Sequence, residues 1–96
     1  MTIIKEIKES AMNVALEGRL DTTTAPELEA ELQLEGITEL VLDFEKLDYV
    51  SSAGLRVLLA TQKVMNRQGS MLIRNVNEGI MEIFEITGFV DILTIE

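Results

Sequence analysis

Apolar and polar residues recur along this chain with two different periods, and the period switches at regular places. In MNVALEG, Met12, Val14 and Leu16 share one face, a period of two that predicts a half-buried strand. TIIKEIK before it carries a weaker form of the pattern, so the two segments are expected to pair through a turn near Glu9 and Ser10. TTTAPELEAEL then changes to a helical period. Ala25, Leu28 and Leu32 make one stripe, Thr24 and Glu27 have capping-box spacing, and Pro26 sits in the first turn, where a missing N–H costs nothing. Gly36 is expected to close this helix. ELVLDF, uninterrupted and apolar from Leu40 to Leu42, predicts a central strand buried on both sides. A second helix is expected from about Ser52 through GLRVLLATQKVMNRQ to Gly69, followed by a strand at SMLIRNV. Ile80, Ile83, Phe84 and Thr87 carry a third helical stripe ending at Gly88, and DILTI reads as a last strand.

Each predicted helix therefore ends in a glycine followed closely by an apolar residue, the pattern of a left-handed cap with a hydrophobic contact behind it. Strands and helices alternate without a linker or repeat. The expectation is an α/β fold: one domain spanning 1–96, with a mixed, mostly parallel sheet, an antiparallel hairpin at the amino end and about three helices.

Composition narrows the chemistry. Cysteine and histidine are both absent, which removes the thiolate nucleophile, the usual general base and the commonest metal ligand. Asp21, Asp43 and Asp48 do not have the spacing of a calcium loop, so no metal and no cofactor is expected, and the chain does not read as an enzyme. Seventeen carboxylates against eight Lys and Arg leave a net charge of −9, which argues against nucleic acid and anionic lipid surfaces as partners. MTIIKEIKES lacks the apolar core of a signal peptide, and no stretch approaches the ~18 apolar residues of a membrane span. A cytoplasmic protein with no direct membrane insertion is expected.

Chemistry of interest concentrates in two loops, RLDTTTAP and KLDYVSSAG, which an α/β sheet should bring together beyond the carboxyl ends of its strands. On its residue type alone, Ser52 would be the N-cap of the second helix. Gly54 inside the first turn costs roughly 1 kcal/mol against alanine. Either it and Ala53 keep the approach to the serine open, or it lets helix and sheet pack closely. Arg56 lies one turn beyond Ser52 and lines up with Lys63 and Arg67 in a stripe that reads as an ordinary solvated face. Leu55, Val57, Leu58, Leu59, Val64 and Met65 ring the helix widely, as in a well-buried helix.

These same residues carry a family resemblance. VSSAGLRVLL resembles the phosphoacceptor loop of STAS domains, in particular the anti-sigma factor antagonists, and LEGRLDTTTAPELE resembles their preceding strand and first helix. With the order of elements, the resemblance covers nearly the whole chain. It implies a STAS-type fold and a place in a partner-switching circuit. There, an unphosphorylated antagonist binds an anti-sigma factor serine kinase and frees a sigma factor; phosphorylation ends the complex, and a PP2C-type phosphatase resets it. By register to Gly54 the phosphoacceptor falls on Ser52, and Asp21 matches the aspartate of the family's first loop. The implied partner-binding set is Asp21, Thr22, Ser51, Ala53, Gly54, Leu55 and Arg56, on a monomer. Ser51 departs from the pattern, since many members carry Asp there, and no segment up to Glu96 supplies the further helix that many members place after the last strand. An alternative within the same fold is a STAS subunit of a transporter or signalling scaffold contacting an ATPase.

Overall fold

The computed structural model describes residues 1–96. Four strands, β1 (Thr2–Lys8), β2 (Ala11–Leu20), β3 (Glu39–Val50) and β4 (Ser70–Arg74), lie in the order β1-β2-β3-β4. β1 and β2 run antiparallel through the tight turn at Glu9 and Ser10, where Glu9 takes a φ of 57°. β2–β3 and β3–β4 are parallel and are joined by α1 (Ala25–Glu31) and α2 (Ser52–Gln68); α3 (Glu78–Thr87) follows β4. This is the expected mixed sheet.

Right-handed crossovers that advance steadily along one sheet place their helices on one face. The burial pattern agrees. Met12, Val14 and Leu16 of β2 pack with Leu40, Leu42 and Phe44 of β3 and Ile73 of β4 in a continuous core beneath the helices, all nearly inaccessible. Alternate residues turn the other way: Asn13, Ala15, Val41 and Asp43 line the opposite face, where Ile4 remains 50% exposed. β3 is thus buried on one side only, against the expectation from its apolar run. Val41 is half-buried because no crossover passes over it.

Helix termini depart from the glycine rule. α1 ends at Glu31 with Leu32 as its C-cap, four residues before Gly36, which instead turns the following loop with a φ of +80°. Gly69 follows α2 in an extended conformation; glycine is required there because a Cβ would fall on the Thr38 carbonyl. Only Gly88, at φ 81° and ψ 3°, is the left-handed cap of its helix. At the start of α3, Asn77 caps with its side-chain oxygen on the Ile80 N–H (2.8 Å), while its amide donates to the Leu47 carbonyl (3.0 Å).

DILTI does not form a strand. Phe89–Asp91 winds into a 3₁₀ turn in which the Phe89 carbonyl accepts from both Ile92 and Leu93, and Leu93 is drawn into the core. What remains of strand pairing is a single parallel bridge, Ile73 with Ile95. A short apolar run cannot by its period distinguish strand from a packed turn.

Candidate functional site

The last pairs of the β2–β3 register are Arg19 with Tyr49 and Leu20 with Val50, so both chains leave the sheet at the same level. The two loops meet there, tied by the Ser51 N–H donating to the Leu20 carbonyl at 2.8 Å.

Asp21 organises the first loop. Its Oδ1 accepts from the backbone N–H of Thr23 (3.0 Å) and Thr24 (3.1 Å), a side-chain turn that folds the four residues before α1. Thr24 does not form the expected capping box. Its hydroxyl donates to the Arg19 carbonyl (2.7 Å) and accepts from the Asp21 N–H (2.8 Å), cross-linking the loop to the end of β2, and its backbone is already near-helical. The Thr24 N–H bond is the largest influence holding the Asp21 carboxyl below its ordinary range; burial, the next largest, opposes it, and the Thr23 N–H, the Thr24 hydroxyl and the Arg19 guanidinium add to the lowering.

The sign of the pH effect follows. A carboxyl whose folded pKa is lowered contributes stability that is present above its unfolded pKa, about 3.9, and lost as pH falls through the folded value. The Thr23 and Thr24 amide resonances are therefore expected to shift on acidification with a midpoint below that ordinary value. An NMR titration of the Asp21 carboxyl checks this; a midpoint at or above about 4 would contradict the turn.

The second loop assigns its two hydroxyls different tasks. Ser51, half-buried and with extended backbone, is the N-cap of α2: its Oγ accepts from the Gly54 N–H at 3.3 Å. Ser52 is not the cap. It is the first helical residue, exposed, and no hydrogen bond within the chain engages its hydroxyl. Gly54 is buried, and a Cβ there would stand 2.7 Å from Leu20 Cγ and 3.0 Å from the Leu20 carbonyl oxygen. Its absence of a side chain lets α2 seat on the end of β2. Leu55 is only 7% exposed and belongs to the core. Of the residues singled out by sequence, Thr22, Ala53 and Arg56 share one hollow beside Ser52, with Ala25, Pro26 and Val57 as its apolar wall. No ion pair holds Arg56.

One feature was not legible in the sequence. The Arg19 guanidinium lies 4.5 Å from the centre of the Tyr49 ring and reaches Asp21 at 3.7 Å, bracing the first loop from the open side of the sheet. Two residues thirty positions apart meet only because of the strand register, which shifts at bulges between Ala15 and Glu17 and between Gly18 and Arg19. No group of three or more metal-ligating side chains converges anywhere in the chain.

The STAS domain family model matches residues 2–96. Over 84 residues the chain is 39% identical to BtrV of Bordetella bronchiseptica, covering 83% of this chain and 72% of that protein. It is 30% identical over 103 residues to the anti-sigma-B factor antagonist of Listeria monocytogenes, covering 100% of this chain and 90% of the relative. Among solved structures it is similar to the anti-sigma factor antagonist SpoIIAA, known in unphosphorylated and phosphorylated forms. The TM-scores are 0.76 and 0.77 at 16% and 17% identity, with 99% of this chain and 87% and 91% of those chains covered.

Proposed function

The chain belongs to the STAS domain family, among its anti-sigma factor antagonists, and on that premise we propose that its unphosphorylated form binds an anti-sigma factor serine kinase and so frees a sigma factor. Phosphorylation at Ser52 ends the complex, and a PP2C-type phosphatase restores it. The observation that carries this reading is the division of labour between the two serines: Ser51 is engaged in capping, while Ser52 is exposed and unbonded at the start of α2. The kinase step moves the γ-phosphoryl group of ATP. Ser52 Oγ attacks phosphorus, the bond to ADP breaks, and the hydroxyl proton passes to a base on the kinase.

The product is an anion of about −1.5 to −2 charges at a helix amino terminus, where the dipole favours it, so the helix itself is not disrupted. The change falls on the surface offered to the partner, framed by Asp21, Thr22, Ser51, Ala53 and Arg56, where a small hydroxyl becomes a bulky hydrated dianion. Gly54 and Leu55 act from beneath, by holding that surface in place. The names of the relatives favour this role over a transporter-associated one.

Incubated with the serine kinase of its own circuit and ATP, the protein is expected to gain one phosphate, mapped by peptide fragmentation to Ser52. Modification mainly at Ser51 or Thr23 would overturn the assignment.

A further inference from the structure

α1 has 7 residues and α2 has 17, so the two helices cannot cover each other along their length. Two hollows mark where cover is missing. One, of about 380 Å³, runs beside Ala53 and Arg56; the other, of about 240 Å³, continues past Ala60 to Val64 and is closed by Leu34. They share Glu29, Val57 and Ala60 and so form one groove, leading away from Ser52 along α2. Its far end is fixed, because Gln68 donates to the Leu34 (2.6 Å) and Ile37 (2.7 Å) carbonyls. Val57, Ala60 and Val64 give it an apolar floor, with Val64 left 37% exposed, while Glu29 of α1 lines both hollows.

Charge distinguishes this groove from the other open surfaces. Arg56, Lys63 and Arg67 are three of the chain's eight basic residues, and none of its seventeen acidic ones lies on α2; the helix thus carries +3 while the rest of the chain carries −12. At about 100° per residue the three cations fall within a strip of about 40°, directly in line below Ser52 and flanking the groove floor of Ala60 and Val64. None of the three is engaged in an ion pair, whereas Lys5, Arg19 and Arg74 elsewhere are. An unpaired basic ridge on α2, beside a channel with an apolar floor and with Glu29 on the α1 side, is complementary to an amphipathic helix whose apolar face meets the floor and whose acidic flank lies along α2, away from Glu29.

We propose that the α1–α2 groove docks an acidic amphipathic helix of the partner protein, its apolar side chains over Ala60 and Val64 and its carboxylates against Arg56, Lys63 and Arg67. The inference rests on the antagonist role for the identity of the protein that carries this helix. It also gives phosphorylation a second effect. A dianion on Ser52 stands at the head of the basic ridge, competes for Arg56 and repels the acidic flank, so release extends beyond the steric change at the serine.

The test uses the whole chain and a synthetic acidic amphipathic helix of about four turns, with its Glu→Lys counterpart as control. Titration followed by amide NMR is expected to give saturable shifts at Ala53, Ala60 and Val64 with the acidic peptide only. The double variant Lys63→Glu, Arg67→Glu, whose sites are solvent-exposed, is expected to melt like the parent and to lose at least about tenfold in affinity, as is Val64→Asp. Equal binding of the basic peptide, shifts centred on the open sheet face at Ile4 and Val41, unchanged affinity in the double variant, or preference for phosphatidylglycerol vesicles over the peptide would each overturn the proposal. The readout is separate from phosphate mapping: a phosphate placed elsewhere than Ser52 would remove the switch without touching the peptide shifts.

Discussion

Ser52→Asp is expected to weaken binding to the anti-sigma partner at least about tenfold, about 1.4 kcal/mol, while Ser52→Ala binds like the parent and cannot be released by kinase and ATP. The difference arises at the interface. A carboxylate placed where a small exposed hydroxyl meets the partner must be desolvated or must hold water in the contact, and either is costly unless a cation is waiting for it. The protein's own fold takes the charge easily. An anion on the first residue of α2 gains about 0.3 to 1 kcal/mol from the helix terminus, and Ser51 keeps the cap in every variant. Melting temperature should therefore be unchanged or slightly raised in Ser52→Asp, so that lost binding cannot be ascribed to unfolding. Titration calorimetry against the partner, with thermal melts of both variants, decides the matter. Equal affinities for the two variants would end the switch mechanism, and a clear drop in melting temperature would mean that release works by distorting the domain.

Gly54→Val is expected to destabilise the protein by about 2 kcal/mol, lowering its melting temperature by roughly 10 °C. A Cβ there already stands 2.7 Å from Leu20 Cγ and 3.0 Å from the Leu20 carbonyl oxygen, and a branched side chain adds two more carbons. Leu20 cannot yield cheaply. Its side chain is fully buried, and its carbonyl receives the Ser51 N–H that ties the two loops together. Helix propensity returns less than the roughly 1 kcal/mol that separates glycine from alanine, which leaves the overpacking term dominant. Urea unfolding measures the loss. Were the glycine there only to keep the serine accessible, the variant would retain its stability and merely be phosphorylated more slowly; unchanged stability would show that close packing is not its role.

What could be read from the sequence and what could not divide along the range of the interactions concerned. The period-two run from Met12 to Leu16, the helical stripe of Ala25 and Leu28, Pro26 in a first turn and the hairpin turn at Glu9 and Ser10 all express themselves within a few residues, where backbone geometry and side-chain spacing are set locally. The same holds for the serine-rich start of α2, which places Ser52 at a helix amino end whatever surrounds it. Tertiary structure decided the rest. Ser51 rather than Ser52 caps α2 because the Leu20 carbonyl, thirty-one residues earlier, holds the Ser51 backbone extended. One face of β3 stays open because successive crossovers of the same hand all pass over the other. DILTI turned instead of pairing along β4, with Leu93 drawn into the core and only Ile95 left to bridge Ile73. Thr24 gave up its cap to bond the end of β2, and Arg19 met Tyr49 through a bulged register that no local pattern encodes. In each case the competing local preference is worth about 1 kcal/mol, and burying a large side chain or satisfying a buried carbonyl is worth as much or more, so the distant contact prevails.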